Sequence, residues 1–185
     1  MRIIGGDFRG RRLASVGKGD AGAHLRPTAD RVRESLFNML AGGHGDPCRG
    51  ARVLDLFAGT GALGLEALSR GAESAVFVES GRIALRILRE NIAICRVADR
   101  VKVIQRDARK LGECPDDPAS LVFLDPPYGK GLGEAALGVA INGGWIAPGA
   151  LIVWEESAEV TPPGNLRLLD ERHYGDTAIR IYETG

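Results

Sequence analysis

Four consecutive residues, Asp125-Pro126-Pro127-Tyr128, place a carboxylate, two rigid carbonyls and an aromatic face directly after the apolar run Leu121-Val122-Phe123-Leu124. A proline pair fixes two φ angles and offers no N–H, so its carbonyls are held as acceptors in set directions. That combination suits the holding of a planar amine. An exocyclic amine on a base is a poor nucleophile because its lone pair is conjugated with the ring. A carboxylate and a backbone carbonyl, both accepting from the NH2 group, would aim the nitrogen and stabilise its developing positive charge. Tyr128 offers a flat face on which a flipped or unpaired base can stack. Asp and Pro also favour plain turns, so the tetrad alone leaves a simple post-strand turn open.

The second motif lies upstream. In Asp55-Leu56-Phe57-Ala58-Gly59-Thr60-Gly61-Ala62-Leu63-Gly64 the pattern GxGxxG follows an apolar strand and opens a helix, which is the context it needs. Glycines let a backbone turn sharply and approach a ligand closely. The pattern by itself admits NAD(P), FAD or S-adenosylmethionine. Asp55 favours the last, because a carboxylate there would repel a pyrophosphate yet accept hydrogen bonds from a cationic methionine moiety, directly or through water. Phe57, Ala58, Gly59, Thr60 and Gly61 form the turn expected around that cofactor. Glu79 can accept from both ribose hydroxyls, a role dehydrogenases share. Asp107 could bind an adenine amino group, with the Ala108 N–H near the ring. No metal or general base is indicated, and the amine proton could pass to Asp125 or to water.

The elements that must position these residues alternate regularly. Short apolar strands are expected at 53–57, 75–78, 101–104, 121–124 and 151–154, and helices at 62–69, 83–94 and 131–141. A closing pair of strands is expected at 166–169 and 178–182. Such alternation means βαβ units, hence an α/β fold with a parallel sheet covered by helices on both faces. Ligands then bind beyond the carboxyl ends of the strands. Asp55, Glu79, Asp107 and Asp125 share that rim, which suggests a ligand partner for each, although any one could be a turn or cap residue. Pro27 and Thr28 open a further helix whose Val32, Leu36, Phe37 and Leu40 share a buried face. Residues 1–25 read as a small hairpin, from runs at 2–4 and 12–13, followed by a flexible glycine-rich loop. The division expected is a basic extension, 1–25, and a main domain, 26–185.

Bulk properties exclude several classes. A chain of 185 residues, 44% hydrophobic and 26% charged, with net charge zero, is an ordinary single domain and no broadly basic nucleic-acid binder. Charge is nevertheless uneven: the first 33 residues carry a net +5, from Arg2, Arg9, Arg11, Arg12, Lys18, Arg26, Arg31 and Arg33 against Asp7, Asp20 and Asp30. This is either a basic arm for phosphates or a solvated, loosely ordered arm. Cys48, Cys95 and Cys114, like His24, His44 and His173, lack metal-ligand spacing, so neither disulfides nor zinc are expected. With no membrane-length apolar run and no signal-like start, a cytoplasmic address is expected.

Several blocks together resemble one family. They are Arg2-Ile3-Ile4-Gly5-Gly6, Arg9-Gly10-Arg11-Arg12, Arg26-Pro27-Thr28-Ala29-Asp30-Arg31-Val32-Arg33-Glu34-Ser35-Leu36-Phe37-Asn38, the Asp55–Gly61 turn, Leu65-Glu66-Ala67-Leu68-Ser69-Arg70-Gly71-Ala72, Phe77-Val78-Glu79 and the tetrad. The chain is similar in these to the RsmD-type bacterial 16S rRNA (guanine-N2)-methyltransferases. The resemblance implies a Rossmann-like class I methyltransferase fold with a mainly parallel seven-stranded sheet, using S-adenosylmethionine. It implies methylation of the 2-amino group of one guanine in 16S rRNA, in a partly or fully assembled small subunit, by a monomer. By family pattern Asp125 through Tyr128 are the catalytic tetrad, and Asp55, Gly59, Gly61, Glu79 and Asp107 are cofactor positions. Arg9, Arg11, Arg12, Arg26, Arg31 and Arg33 are the candidates for RNA contact. The loop at 17–24 departs from that role, being glycine-rich with a single lysine.

Other readings stay open. The tetrad also permits adenine N6 of nucleic acid or a protein glutamine amide, although the latter class typically opens its tetrad with Asn. A DNA adenine enzyme would lack room for a target-recognition domain. An NAD-dependent dehydrogenase would need a proton-transfer residue, for which the three histidines are poorly placed. An RNA-binding scaffold would have little use for an intact tetrad.

Overall fold

The computed structural model describes residues 1–17 and 28–185. Lys18, Arg26, Pro27 and nearly all of the loop expected at 17–24 therefore lie outside the described residues. The strands are β1 (Arg52–Asp55), β2 (Ser74–Glu79), β3 (Val101–Gln105), β4 (Ala119–Leu124), β5 (Ile146–Glu156), β6 (Leu166–Tyr174) and β7 (Thr177–Thr184). They form one seven-stranded sheet in the order β3-β2-β1-β4-β5-β7-β6. β1 to β5 run parallel, while β7 is antiparallel to both β5 and β6, so the sheet is mixed at that edge.

Side chains alternate across the pleat, and each face buries its own helices. Val53, Phe77, Leu121, Phe123 and Val153 pack with α1 (Asp30–Gly43), α2 (Ala62–Ser69) and α3 (Arg82–Cys95). Leu54, Val78, Val122, Leu124, Ile152 and Trp154 pack instead with α4 (Leu132–Asn142). β5 runs well past the apolar stretch 151–154. Its final residues, Glu155 and Glu156, pair in register with Ile179 and Ala178 of β7. β6 extends through charged residues for a different reason: an edge strand needs only one hydrogen-bonded neighbour and no apolar face.

Every residue of α2 is buried, because the start of the chain covers its outer side. The expected hairpin is reduced to one bridge, Arg2 to Arg12, supported by Ile3 N–H to the Arg11 carbonyl (2.9 Å) and Gly10 N–H to the Ile3 carbonyl (2.9 Å). Ile3 and Leu13 join the same apolar cluster as α1 and α2. Glu66, fully buried in α2, accepts from the Ile4 N–H (2.9 Å), the Gly5 N–H (2.8 Å) and Arg70 Nε (2.8 Å). Arg33 Nη1 stands 3.9 Å from the same carboxylate.

Two of the arginines expected to contact RNA are occupied here. Arg33 is wholly buried, with Nη2 donating to Asp30 and to the Arg2 carbonyl. It neutralises Glu66 and closes the first segment onto α1, so it presents no surface to RNA. Arg11 lies over the Phe8 ring and donates from Nη1 to the carbonyls of Cys95 (2.7 Å) and Ile94 (3.4 Å). It satisfies the end of α3, where a helix leaves carbonyls without internal partners. Asn91 of α3 completes the seam: it donates to the carbonyls of Ala14 and Thr60 and accepts from the Ala14 N–H. Cys48 and Cys95 are free and buried, as packing residues.

Removing a buried carboxylate that holds this many donors should be far costlier than removing a surface pair. Glu66→Ala is expected to lower the urea-unfolding free energy by about 3–5 kcal/mol. Lys102→Ala, which breaks the exposed pair with Asp116, is expected to change it by less than about 1 kcal/mol.

Candidate active site

The carboxyl ends of β1 to β4 open onto a cleft of about 1330 Å³. It lies where strand order reverses between β1 and β4, the usual place for a ligand in such a sheet. Asp55 ends β1 on one side of this switch point, and Asp125 follows β4 on the other. Phe57, Ala58, Gly59, Thr60, Glu79, Asp107, Ala108 and the whole tetrad line the same cleft.

The turn after β1 is shaped by its glycines. Gly61 caps α2 in the left-handed region at φ +81°, and a Cβ there would stand 2.4 Å from Leu88 Cδ1. A Cβ at Gly64 would stand 2.4 Å from Phe77 Cε1, so the third glycine lets α2 lie close on β2. Gly61 itself is absent from the lining of the cleft and acts by turning the chain.

The rim carboxylates differ in their surroundings. Asp55 is 1% exposed; its Oδ2 accepts from the Gly64 N–H at 3.3 Å, and its Oδ1 has no partner. Burial pushes its carboxyl up to about 7, against the opposing Gly64 bond and with added repulsion from Glu79. Glu79 braces the site, accepting from the Gly59 N–H (2.8 Å) and the Gly81 N–H (2.7 Å). Each of its oxygens keeps a lone pair for a further donor. Asp107 meets its charge within the chain. It accepts from the Arg109 N–H at 2.9 Å and from the Arg109 guanidinium at 2.6–3.2 Å, capping the 3-10 turn Ala108–Lys110. Arg109 holds that carboxyl below the usual range. A ligand at Asp107 would have to share it.

Around the tetrad a second set of residues converges that the sequence reading missed. Tyr128 donates its hydroxyl to Glu155 Oε1 (2.7 Å) and accepts from Thr177 Oγ1 (3.2 Å). Thr28 donates to Glu155 Oε2 at 3.2 Å. Glu156 Oε1 accepts from the Gly129, Ser157 and Ala158 N–H groups, which fixes the loop after the tetrad. The Asp125 carboxyl is raised well above the usual range, chiefly by burial and then by repulsion from Glu155, Asp55 and Glu156; a hydrogen bond from Thr28 opposes this. Burial, and the Glu155 charge beside it, also push the Tyr128 hydroxyl up. The missed signal was available: Glu155-Glu156 follows the apolar run 151–154 just as Asp125 follows 121–124.

The mouth of the cleft has the opposite charge, with Arg82, Arg86, Arg106, Arg109 and Lys130 among its lining residues. Of the arginines expected to contact RNA, Arg9, Arg12 and Arg31 are exposed. Among the described residues no group of three or more His, Cys, Asp or Glu could hold a metal ion, and no helix is long and apolar enough to cross a membrane.

A Rossmann-like sheet with an antiparallel seventh strand, a glycine turn after β1 and an acid-lined cleft at the switch point defines the class I methyltransferase fold. A family model described as conserved hypothetical protein 95 matches residues 1–183. The chain is 41% identical to ribosomal RNA small subunit methyltransferase D of Escherichia coli K12, covering 99% of this chain and 89% of that protein. It is 35% identical to the protein of the same name from Haemophilus influenzae, covering 99% and 93%. Among solved structures, the Escherichia coli methyltransferase yhhF superposes with a TM-score of 0.83 at 39% identity, over 100% of this chain and 97% of that one. The chain belongs to the RsmD-type methyltransferase family.

The raised Asp55 carboxyl has a consequence for stability. An acid whose folded pKa stands above its unfolded value binds its proton more tightly when folded, so its ionisation costs stability as pH rises from about 4 through about 7. Asp55→Asn removes that cost. Its stability relative to wild type in urea unfolding is expected to increase by about 2–3 kcal/mol between roughly pH 5 and pH 8. A difference independent of pH would mean that Asp55 titrates normally.

Proposed function

We propose that this chain transfers a methyl group from S-adenosylmethionine to the exocyclic N2 amine of one guanine in small-subunit rRNA, acting as a monomer on an assembled or partly assembled subunit. The observation that carries this reading is the convergence of the Asp125–Tyr128 tetrad and the glycine turn on one cleft with an anionic floor and a cationic mouth. Its Escherichia coli and Haemophilus influenzae relatives, both ribosomal RNA small subunit methyltransferases by name, support the choice of rRNA. In this reading residues 26–185 form the catalytic domain and residues 1–25 a basic extension.

The residues fit the cofactor. Asp55 has a buried oxygen in need of a donor, which a methionine ammonium or a bridging water would supply. Glu79 has lone pairs for a ribose diol, and the turn Phe57–Gly61 brings backbone close to the ligand. The Ala108 N–H and, shared with Arg109, the Asp107 carboxylate would meet adenine. A pyrophosphate would instead face Asp55 and Glu79, and this disfavours a dinucleotide. When bound, S-adenosylmethionine would supply an electrophilic methyl on a sulfonium.

The chain's own residues do the rest by position and charge. Asp125 and the Pro126 carbonyl would accept from the guanine NH2 and hold its nitrogen toward the methyl, while Tyr128 stacks on the base. With the cofactor held by Asp55, Glu79 and the Phe57–Gly61 turn, the guanine nitrogen would take its methyl and the sulfonium would leave as a neutral thioether. The nitrogen then releases one proton to the Asp125 carboxylate or to water. Arg82, Arg86 and Arg89 lie at i, i+4 and i+7 on α3, and with Arg9, Arg12 and Arg31 would meet the RNA backbone.

With labelled S-adenosylmethionine and unmodified small subunits, label is expected in a single guanine, recovered as N2-methylguanine after nucleoside digestion. Label in adenine or protein, or none while the cofactor still binds, would overturn the reading. Asp125→Ala is expected to lower kcat about 100-fold or more, with a much smaller change in cofactor affinity. The double variant Arg82→Gln/Arg89→Gln is expected to reduce the slope of log K against log salt for rRNA binding by about 1.4, near 0.7 per phosphate contact. Arg49→Gln, at the opposite end of the sheet beside Asp46, should leave that slope unchanged.

A further inference from the structure

Glu155 is a buried carboxylate of an unusual kind in this chain. It is 9% exposed, and its two oxygens are met by hydroxyls alone, Tyr128 at 2.7 Å and Thr28 at 3.2 Å. The other buried glutamates are provided for differently. Glu66 has Arg33 and Arg70 beside it, and Glu156 collects backbone N–H groups at the end of β5. Among the described residues, no Lys, Arg or His forms an ion pair with Glu155. Taking such a charge out of water costs several kcal/mol, and two hydroxyls do not restore what water supplied.

Strand architecture does not require that charge. The end of β5 is held through its backbone, with Glu155 in register opposite Ile179 of β7. A glutamine carbonyl would still accept one of the hydroxyls, though more weakly. What the carboxylate adds is negative charge beside Asp125, together with a two-pronged hold on the groups that flank it. Tyr128 is the last residue of the tetrad, and its hydroxyl is fixed between Glu155 and Thr177 of β7. Thr28 reaches in from the segment before α1 and touches Glu155 and Asp125 alike. Glu155 thus joins three separate parts of the chain at the tetrad.

We propose that Glu155 is a positioning residue of the methyl-transfer site, holding Tyr128 and Thr28 against Asp125 and making Asp125, by adjacent like charge, a competent acceptor for the amine proton. This rests on the methyl-transfer reading. The groups facing Asp125 are Asp55 from β1, Glu155 and Glu156 from β5, and the hydroxyls of Thr28 and Tyr128; Lys130 lines the mouth of the same cleft. Three of these are carboxylates, and Lys130 is exposed. A buried carboxyl with carboxylates beside it holds its proton more tightly. A methylated amine that must shed a proton then meets a carboxylate with a raised affinity for it.

The test uses the full chain and the variants Glu155→Gln and Tyr128→Phe. Asp125 is first followed by carboxyl NMR titration without any RNA. In Glu155→Gln the midpoint of its titration should lie at lower pH than in wild type, because the repulsion is gone. With small subunits and labelled S-adenosylmethionine, Glu155→Gln should bind the cofactor within about threefold of wild type, yet lose roughly 10–100-fold in kcat. The acid limb of its kcat profile should move to lower pH. Tyr128→Phe, which keeps the charge at 155, should raise KM for the subunit and leave the acid limb in place. An Asp125 titration unchanged by Glu155→Gln, or a kcat within twofold of wild type, would overturn the role of Glu155. Wild type that fails to methylate the subunit would instead overturn the parent reading, and the NMR titration would still decide the coupling between Glu155 and Asp125.

Discussion

Moving a carboxylate out of water costs several kcal/mol unless donors replace the lost hydration. Among the described residues this fold buries four of them, Asp55, Glu66, Glu155 and Glu156. How each recovers its hydration organises much of the molecule. Glu66 recovers it with two arginines and two backbone N–H groups, and in doing so pins the first segment of the chain to α1 and α2. Glu156 takes backbone donors and fixes the loop behind the tetrad. Asp55 and Glu155 recover much less. Asp55 and Asp125 line the cleft at the switch point, Glu155 is hydrogen-bonded to Tyr128 of the same lining, and the surrounding chain leaves much of their negative charge uncompensated.

Much of this was legible in the sequence, for local reasons. The parallel strands are short apolar runs that stop at charged or turn residues, and the glycine turn has its strand before and its helix after. What escaped was set by distant partners. Glu155 escaped because its partners, Tyr128 and Thr28, lie 27 and 127 residues away along the chain. Arg11 was read as a phosphate binder, yet its partners are carbonyls at the far end of α3, 83 and 84 residues along the chain. Arg33 is more instructive. Arg33, Leu36, Phe37 and Leu40 stand at i, i+3, i+4 and i+7, all on the buried stripe of α1. Helical spacing alone placed that arginine inside, and its charge diverted attention to RNA.

Asp107 shows the opposite outcome. Four acids at strand ends suggested four ligand contacts, but here the ordinary cap reading describes the structure as it stands, since Asp107 caps its own 3-10 turn and pairs with Arg109 two residues on. Position at the rim therefore does not distinguish a ligand acceptor from a cap. Saturation of the carboxylate does: Asp55 keeps an oxygen without a partner, Glu79 is half committed to backbone, and Asp107 is chelated.

Several departures from local preference lie around the cleft, where function competes with stability. α3 begins at Arg82, with Gly81 as its N-cap and no acidic residue in its first turn. A cation there opposes the helix dipole by a few tenths of a kcal/mol, and a capping side chain would add about 1 kcal/mol that this helix forgoes. Gly61 holds the left-handed conformation at the start of α2, and Asp55 stands buried without a cation. The other end of the sheet has departures too, Asp46 before β1 and Arg96 after α3 at positive φ, but its strands are tied in: Arg52 donates to the Pro118 carbonyl, and Ala51 takes backbone bonds from Glu73 and Ser74. The same strands thus end in saturated structure on one side. On the other, Asp55 lacks a cation and α3 lacks a capping side chain, and buried acids beside exposed lining cations form the charge pattern that a cationic cofactor and a polyanionic substrate would relieve.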